Sequence, residues 1–131
     1  MLGLFKKKSL LSAVDNKRVV EAIRSTEQLT SGEIRVYMES RNPLMSTIER
    51  AQCIFLQMNM QQTRQRNGVL IYVAVKDREV AVIGDKGIHE QVGEVFWQHQ
   101  VQQMLGFFKE NHIADGVVKC VAEIGNVLIN K

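Results

Sequence analysis

Seven consecutive residues without a charged or amide side chain, Val69–Val75, constrain the fold more than any other stretch of this sequence. A strand with one face in water alternates apolar and polar residues, whereas a strand covered on both faces does not. We therefore predict that Val69–Val75 is the central strand of a sheet between helices. Lys76-Asp77 predicts a polar turn, after which Val80–Ile83 returns antiparallel beside the central strand.

The residues before this hairpin predict a helix and a strand. Ser12 and Asp15 have the spacing of a helix N-cap, and the helix is predicted to run to about Leu29. Glu33–Glu39 alternates polar and apolar residues, which indicates a strand with one buried face. This strand is expected to be less central than Val69–Val75.

A second helix is predicted between the two strands. Ser46 and Glu49 form a capping box, and the helix is expected from about Thr47 to Gln62. Strand, helix and strand in this order make a βαβ unit, so the two strands are predicted to be parallel.

Two further helices are predicted after the hairpin. The first runs from about Glu90 to Met104, with Trp97 at its edge, and its inward face is marked by Val92, Val95, Phe96 and His99. The last runs from about Asp115 to Ile129. The predicted fold class is therefore α/β: a three-layer sandwich in which a small mixed sheet of three to four strands has helices on both faces.

Length and charge restrict the organisation and the partners. The chain has 131 residues and a net charge of +3, part of which lies in Lys6-Lys7-Lys8. We predict a basic N-terminal tail over residues 1–11 and a single domain over residues 12–131. The remaining charges are nearly balanced, so nucleic acid is not expected as a partner.

The apolar runs and the cysteines of the sequence predict a cytoplasmic protein. No apolar run approaches the roughly 18 residues that a transmembrane helix needs, so membrane insertion is not expected. The N-terminal segment also lacks the order of a secretory signal, because its charges follow its apolar residues. Cys53 and Cys120 lie far apart on separate apolar stripes, which is typical of reduced, buried thiols.

The topology predicts two ends of the sheet at which a ligand could bind. The carboxyl ends of the parallel strands bring together Glu39, Arg41 and Lys76–Arg78. The opposite end gathers three segments that include Glu33, Asn67, Gly84 and Asp85, together with Gly32, Gly68 and Lys86. Carboxylate and carbonyl oxygens from flexible loops are the ligands that Ca²⁺ takes, so we hypothesise a divalent-cation site there. The same residues also fit a plain turn in which Asp85 is a helix N-cap and Glu33 pairs with Lys86. No P-loop, EF-hand, dinucleotide or zinc-protease motif is present.

Several segments in order resemble the TPM domain family, which includes thylakoid-lumen proteins linked to photosystem II repair and many bacterial proteins. The matching segments are Thr30–Val36, Arg66–Ala74, Asp77-Arg78 and Ile83–Ile88. The chain is most similar to the short, cytoplasmic, stand-alone bacterial members. The resemblance implies an α/β sandwich, binding of a divalent cation usually discussed as calcium, and an acid phosphatase activity proposed for some plastid members.

The chain also departs from the family pattern. Many relatives have a Gly-Asp-Tyr element before the last helix, where this sequence has Asn111-His112-Ile113. Only Asn67, Gly84 and Asp85 are carried over by direct motif match. Glu33 is added because it belongs to the matching Gly-Glu-Ile segment.

Two functions follow as hypotheses. The first is a TPM-domain binding module that holds a divalent cation and contacts a partner protein. The alternative is a metal-assisted, acid-phosphatase-like hydrolase of phosphomonoesters. In that hydrolase Asp85 and Glu33 would hold the ion, and Lys86 or Arg66 would receive the phosphate. No motif in the sequence decides whether the chain is an enzyme.

Overall fold

The computed structural model describes residues 4–6 and 10–130. Four strands and five α-helices follow one another along the chain. In order, they are β1 (Leu4–Lys6), α1 (Ala13–Glu27), β2 (Glu33–Glu39), α2 (Thr47–Gln57), β3 (Gly68–Ala74), β4 (Glu79–Gly84), α3 (Lys86–Val92), α4 (Glu94–Lys109) and α5 (Ile113–Ile129). A short 3₁₀ helix, Met60–Gln62, follows α2.

The four strands form one mixed sheet in the order β1-β2-β3-β4. β1 and β2 are parallel, as are β2 and β3, whereas β3 and β4 are antiparallel. Every residue of β3 is buried, which confirms the prediction that this strand is covered on both faces. β1 extends the sheet by one edge strand, inside the segment expected to be a tail.

Two apolar cores lie on opposite faces of the sheet, as the α/β prediction requires. The larger core joins α1, α4 and α5 to Ile34, Val36, Val69 and Ile71. The smaller core joins α2 to Leu70 and Tyr72. Alternate residues of each strand therefore serve different cores, and the sheet is the middle of three layers.

Helix ends follow the predicted caps. The Ser12 hydroxyl accepts a hydrogen bond from the Asp15 N–H at 3.1 Å. At α2, Ser46 and Glu49 form both bonds of the capping box. The helix ends earlier than predicted, at Gln57, because Asn59 adopts a left-handed conformation (φ 55°) that an α-helix cannot continue through.

The helices after the hairpin differ from the prediction. Gly93 has a φ of 80° and divides the predicted helix into α3 and α4, which changes the face that α4 buries. Val95 and His99 are exposed, and the buried face instead carries Trp97, Gln100, Met104 and Phe108. The predicted inward face of this helix was therefore wrong at Val95 and His99, and Trp97 is a central packing residue.

Candidate functional site

The predicted residues meet at the end of the sheet where β3 begins. Glu33 is the register partner of Gly68 in the parallel pair. On the other side of β3, the Asp85 N–H donates to the Gly68 carbonyl at 2.8 Å. Gly84 is the register partner of Val69. The backbone thus gathers all three predicted segments around the first residues of β3.

Both carboxylate oxygens of Asp85 already have partners. Arg66 donates from Nε to Oδ2 at 2.5 Å and from Nη2 to Oδ1 at 2.8 Å. The Lys86 N–H also donates to Oδ1, so Asp85 is the N-cap of α3, as the plain-turn interpretation predicts. Burial alone would raise the pKa of Asp85, but the bonds from Arg66 and Lys86 outweigh it and hold the pKa below its ordinary value.

The other three predicted residues have different surroundings. The Glu33 carboxylate accepts from Arg35 at 2.7 Å, rather than from Lys86. Asn67 donates from Nδ2 to the Ser31 hydroxyl at 3.2 Å, while its buried Oδ1 has no hydrogen-bond partner among the described residues. Gly84 lies against the indole of Trp97, where any Cβ would overlap the ring.

These contacts decide how well the site fits a hard cation. Asn67 Oδ1 is a buried acceptor that could serve as a ligand, but the carboxylates of Asp85 and Glu33 are each paired with a guanidinium group. Within residues 4–6 and 10–130, no three His, Cys, Asp or Glu side chains stand close enough to hold a metal ion. The Ca²⁺ site stays a prediction, and binding at Asp85 would require Arg66 to move away from its carboxylate.

A groove opens beside this end of the sheet. It lies between α2 and α4, over the edge strand β4, and we call it the edge groove. It comprises two adjoining cavities of about 680 and 610 Å³ that share Ile48, Val82, Glu94 and Trp97. Gly84 and Asp85 line one end, so two of the four predicted site residues belong to it.

The rim of the edge groove is apolar and exposed. Ile48 and Leu56 on α2 are 47% and 60% exposed, and Val95 on α4 is 78% exposed. The floor is buried and includes Phe55, Val82 and Trp97. Exposed apolar side chains gathered around a cavity are typical of interaction sites, whereas scattered single ones are not informative.

A hydrogen bond inside the groove joins α3 to α4. The Trp97 Nε1–H donates to His89 Nδ1 at 2.9 Å, so His89 carries its ring proton on Nε2 when neutral. The edge groove was not predicted, because the predicted helix has Trp97 at its edge and Val95 on its inward face. Trp97 is the one tryptophan of the chain, and its large amphipathic ring was the feature that could have indicated the groove.

Among the described residues, no helix has both the length and the apolar composition needed to cross a membrane.

Comparisons with known proteins agree with this architecture. A family model described as the TPM domain matches residues 4–127. The NMR structure of the BA42 protein from the psychrophilic bacterium Bizionia argentinensis is 36% identical, with a TM-score of 0.85, over 95% of this chain and 85% of that one. No curated protein matches this sequence.

Two more distant structures share the fold alone. The N-terminal domain of the cg2496 protein from Corynebacterium glutamicum is 12% identical, with a TM-score of 0.76, over 96% of this chain and 79% of that one. The N-terminal domain of a P. gingivalis protein is 16% identical, with a TM-score of 0.81, over 98% of this chain and 83% of that one.

Proposed function

This chain belongs to the TPM domain family, and we propose that it is a binding module that contacts a partner protein through the edge groove. The observation that carries the proposal is the exposed apolar rim. Ile48, Leu56 and Val95 stand around one groove whose floor is already packed. When a partner covers these side chains, apolar surface is removed from water, which is favourable by about 25 cal/mol of free energy per Å².

Site-specific cross-linking in the cells that make the protein tests the proposal. A photo-reactive phenylalanine is placed at Leu56, at Val95 and, as a control, at Glu21, which is exposed on α1. We expect positions 56 and 95 to be linked to the same protein, and position 21 not to be. Adducts of equal yield at all three positions, or none at positions 56 and 95, would contradict the proposal.

A divalent cation at the start of β3 is the second candidate function. Its support is Asn67 Oδ1, a buried acceptor without a hydrogen-bond partner among the described residues. Arg66 is the side chain that competes with the ion for Asp85. A cation would therefore be held only where Arg66 releases the carboxylate.

Amide NMR spectra with increasing Ca²⁺ or Mg²⁺ test this second candidate. We expect shifts at Gly32, Glu33, Asn67 and Gly84–Gly87, at lower cation concentration in Arg66→Gln than in the unmodified chain. If neither protein responds at millimolar cation, the site is absent. The same samples can be tested for hydrolysis of a generic phosphomonoester, with Asp85→Ala as the control for a contaminating phosphatase.

A further inference from the structure

The edge groove carries negative charge as well as an apolar rim. Asp85 and Glu94, both acidic, line its two cavities, and no described lysine or arginine lines either of them. Asp85 is neutralised by Arg66. Glu94 is exposed, lines both cavities and has no cationic partner among the described residues. The groove therefore presents one uncompensated negative charge beside its apolar surface.

The edge strand itself is closed to a partner's main chain. β4 is the last strand of the sheet, but Val80 and Val82 are only 7% and 4% exposed, main chain included. Their side chains pack on the face that α4 covers, and α2 packs on the other face of the strand, against Ala81. An added β-strand would need access to the main-chain N–H and C=O groups of these residues. A partner in the edge groove must instead make its contacts with side chains at the rim.

The distance between the two rim residues of α2 matches the distance between apolar side chains two turns apart on a helix. Ile48 and Leu56 are eight residues apart on α2, which places them about 12 Å apart along the helix axis. A partner helix lying beside α2 presents an apolar side chain over the same distance after two turns, at positions i, i+4 and i+7 or i+8. Val95 on the opposite wall would contact the same apolar stripe.

From these three features we infer that the occupant of the edge groove is an amphipathic helix of a partner protein with a lysine or arginine beside its apolar stripe. The basic residue pairs with Glu94, and the stripe covers Ile48, Leu56 and Val95. This inference rests on the proposed function, since it names the chemistry of the partner segment.

Three synthetic peptides without tryptophan test it, each of about three to four helical turns. The first is an amphipathic leucine/lysine helix, the second replaces every lysine with glutamate, and the third has the first one's composition in an order with no apolar stripe. The emission of Trp97 reports on the groove, because it is the one tryptophan of the chain. Amide NMR shifts of α2 and α4 locate the contact.

We expect the leucine/lysine helix to bind about tenfold more tightly than the glutamate version, a factor that corresponds to about 1.4 kcal/mol. Glu94→Lys should reverse this preference, and Glu94→Gln should abolish it. Leu56→Ser and Val95→Ser should each weaken binding, and because both side chains are exposed these variants should fold normally. Val14→Ser, at an apolar position on α1 that is 70% exposed, is the matched control and should bind normally.

Three results would overturn the inference. They are equal binding of the first and third peptides, a charge preference that Glu94→Lys leaves unchanged, and no response of Trp97 or of the α2 and α4 amides to any peptide at millimolar concentration. Each of them leaves the cross-linking experiment unaffected. A protein linked from positions 56 and 95 together with a failed peptide experiment would mean that the groove binds a partner segment of different chemistry.

Discussion

The indole N–H of Trp97 donates to Nδ1 of His89 across the junction of α3 and α4, at 2.9 Å. Trp97 is 3% exposed, so this hydrogen bond satisfies a donor that water scarcely reaches. The same ring packs on Gly84 and shapes the floor of the edge groove. One tryptophan thus connects the end of β4, the short helix α3 and the groove.

We predict that His89→Ala destabilises the protein by about 1–3 kcal/mol, because the Trp97 donor loses its acceptor inside an apolar floor. The measurement is urea-induced unfolding followed by Trp97 emission, which should also shift in the folded state. His99→Ala is the control, since His99 is exposed on α4 and contacts Gln103. Equal stability of both variants and an unchanged emission spectrum would contradict the role given to His89.

The ion pair between Arg66 and Asp85 predicts a loss of stability in acid. The folded state holds the pKa of Asp85 below its ordinary value of 3.8, so the charged carboxylate stabilises the fold above that value. The contribution is lost as the pH falls through the folded-state pKa. Asp85→Asn keeps a side chain that can cap α3 but removes the charge.

The measurement for this pair is the free energy of unfolding of both proteins from about pH 7 down to about pH 2. We expect Asp85→Asn to be less stable near neutral pH and the difference to shrink in acid. Glu21→Gln, on the exposed face of α1, should give a pH-independent difference near zero. A gap between the unmodified chain and Asp85→Asn that widens in acid would mean that the sign is wrong.

A buried charge network lies on the α2 face of the sheet, and we expect its loss to destabilise the protein more than the loss of an exposed ion pair. Arg50 donates two hydrogen bonds to Glu39, at 2.8 and 2.9 Å, and the Tyr72 hydroxyl donates to the same carboxylate. Arg50→Met removes the guanidinium and leaves a carboxylate that is almost fully buried. We predict a destabilisation of about 3–5 kcal/mol, measured by chemical unfolding.

The matched control for that network is Arg41→Met. Arg41 also pairs with a carboxylate, that of Asp77, but its side chain is 68% exposed. Exposed pairs contribute about 0–1 kcal/mol, so this variant should be nearly as stable as the unmodified chain. If Arg50→Met were equally well tolerated, the network would not stabilise the α2 face.

Alanine substitutions at two glycines are expected to change the stability of the protein in opposite directions. An alanine Cβ at Gly87 would overlap the carbonyl oxygen of Gln65, so Gly87→Ala must push α3 away from that loop and cost about 1–3 kcal/mol. Gly106 is exposed in the last turn of α4, where nothing is within 4 Å of a Cβ. Gly106→Ala should stabilise by about 0.5–1 kcal/mol. Thermal unfolding of the two variants measures both, and shifts of the same sign would contradict the packing at Gly87.

The strands were readable from the sequence because their patterns are local. Glu33–Glu39 alternates and forms β2 at those bounds, while the uninterrupted apolar run forms β3. The face that α4 buries could not be predicted from a local pattern. Gly93 interrupts the helix, and the residues that α4 buries depend on where α5 and β4 lie, which no local period contains.

The candidate site was predictable in position but not in its contacts. The βαβ order and the hairpin are sufficient to bring Glu33, Asn67 and Asp85 to one end of the sheet. That Arg66 would turn onto Asp85 depends on its left-handed backbone conformation (φ 52°) and on the loop packed beneath α3. Sequence spacing carries no information on either, so the pairing of Arg66 with Asp85 was not predicted.

The hairpin turn at Val75–Arg78 has a consequence for the way the chain folds. β3 and β4 are joined by four residues, with Arg78 in the left-handed conformation (φ 54°) that closes the turn. Each parallel strand pair, by contrast, is joined by a connection that contains a whole helix. Because short loops close fastest, we expect β3 and β4 to be the first strands of the sheet to pair. The most buried strand would then form its hydrogen bonds early in folding.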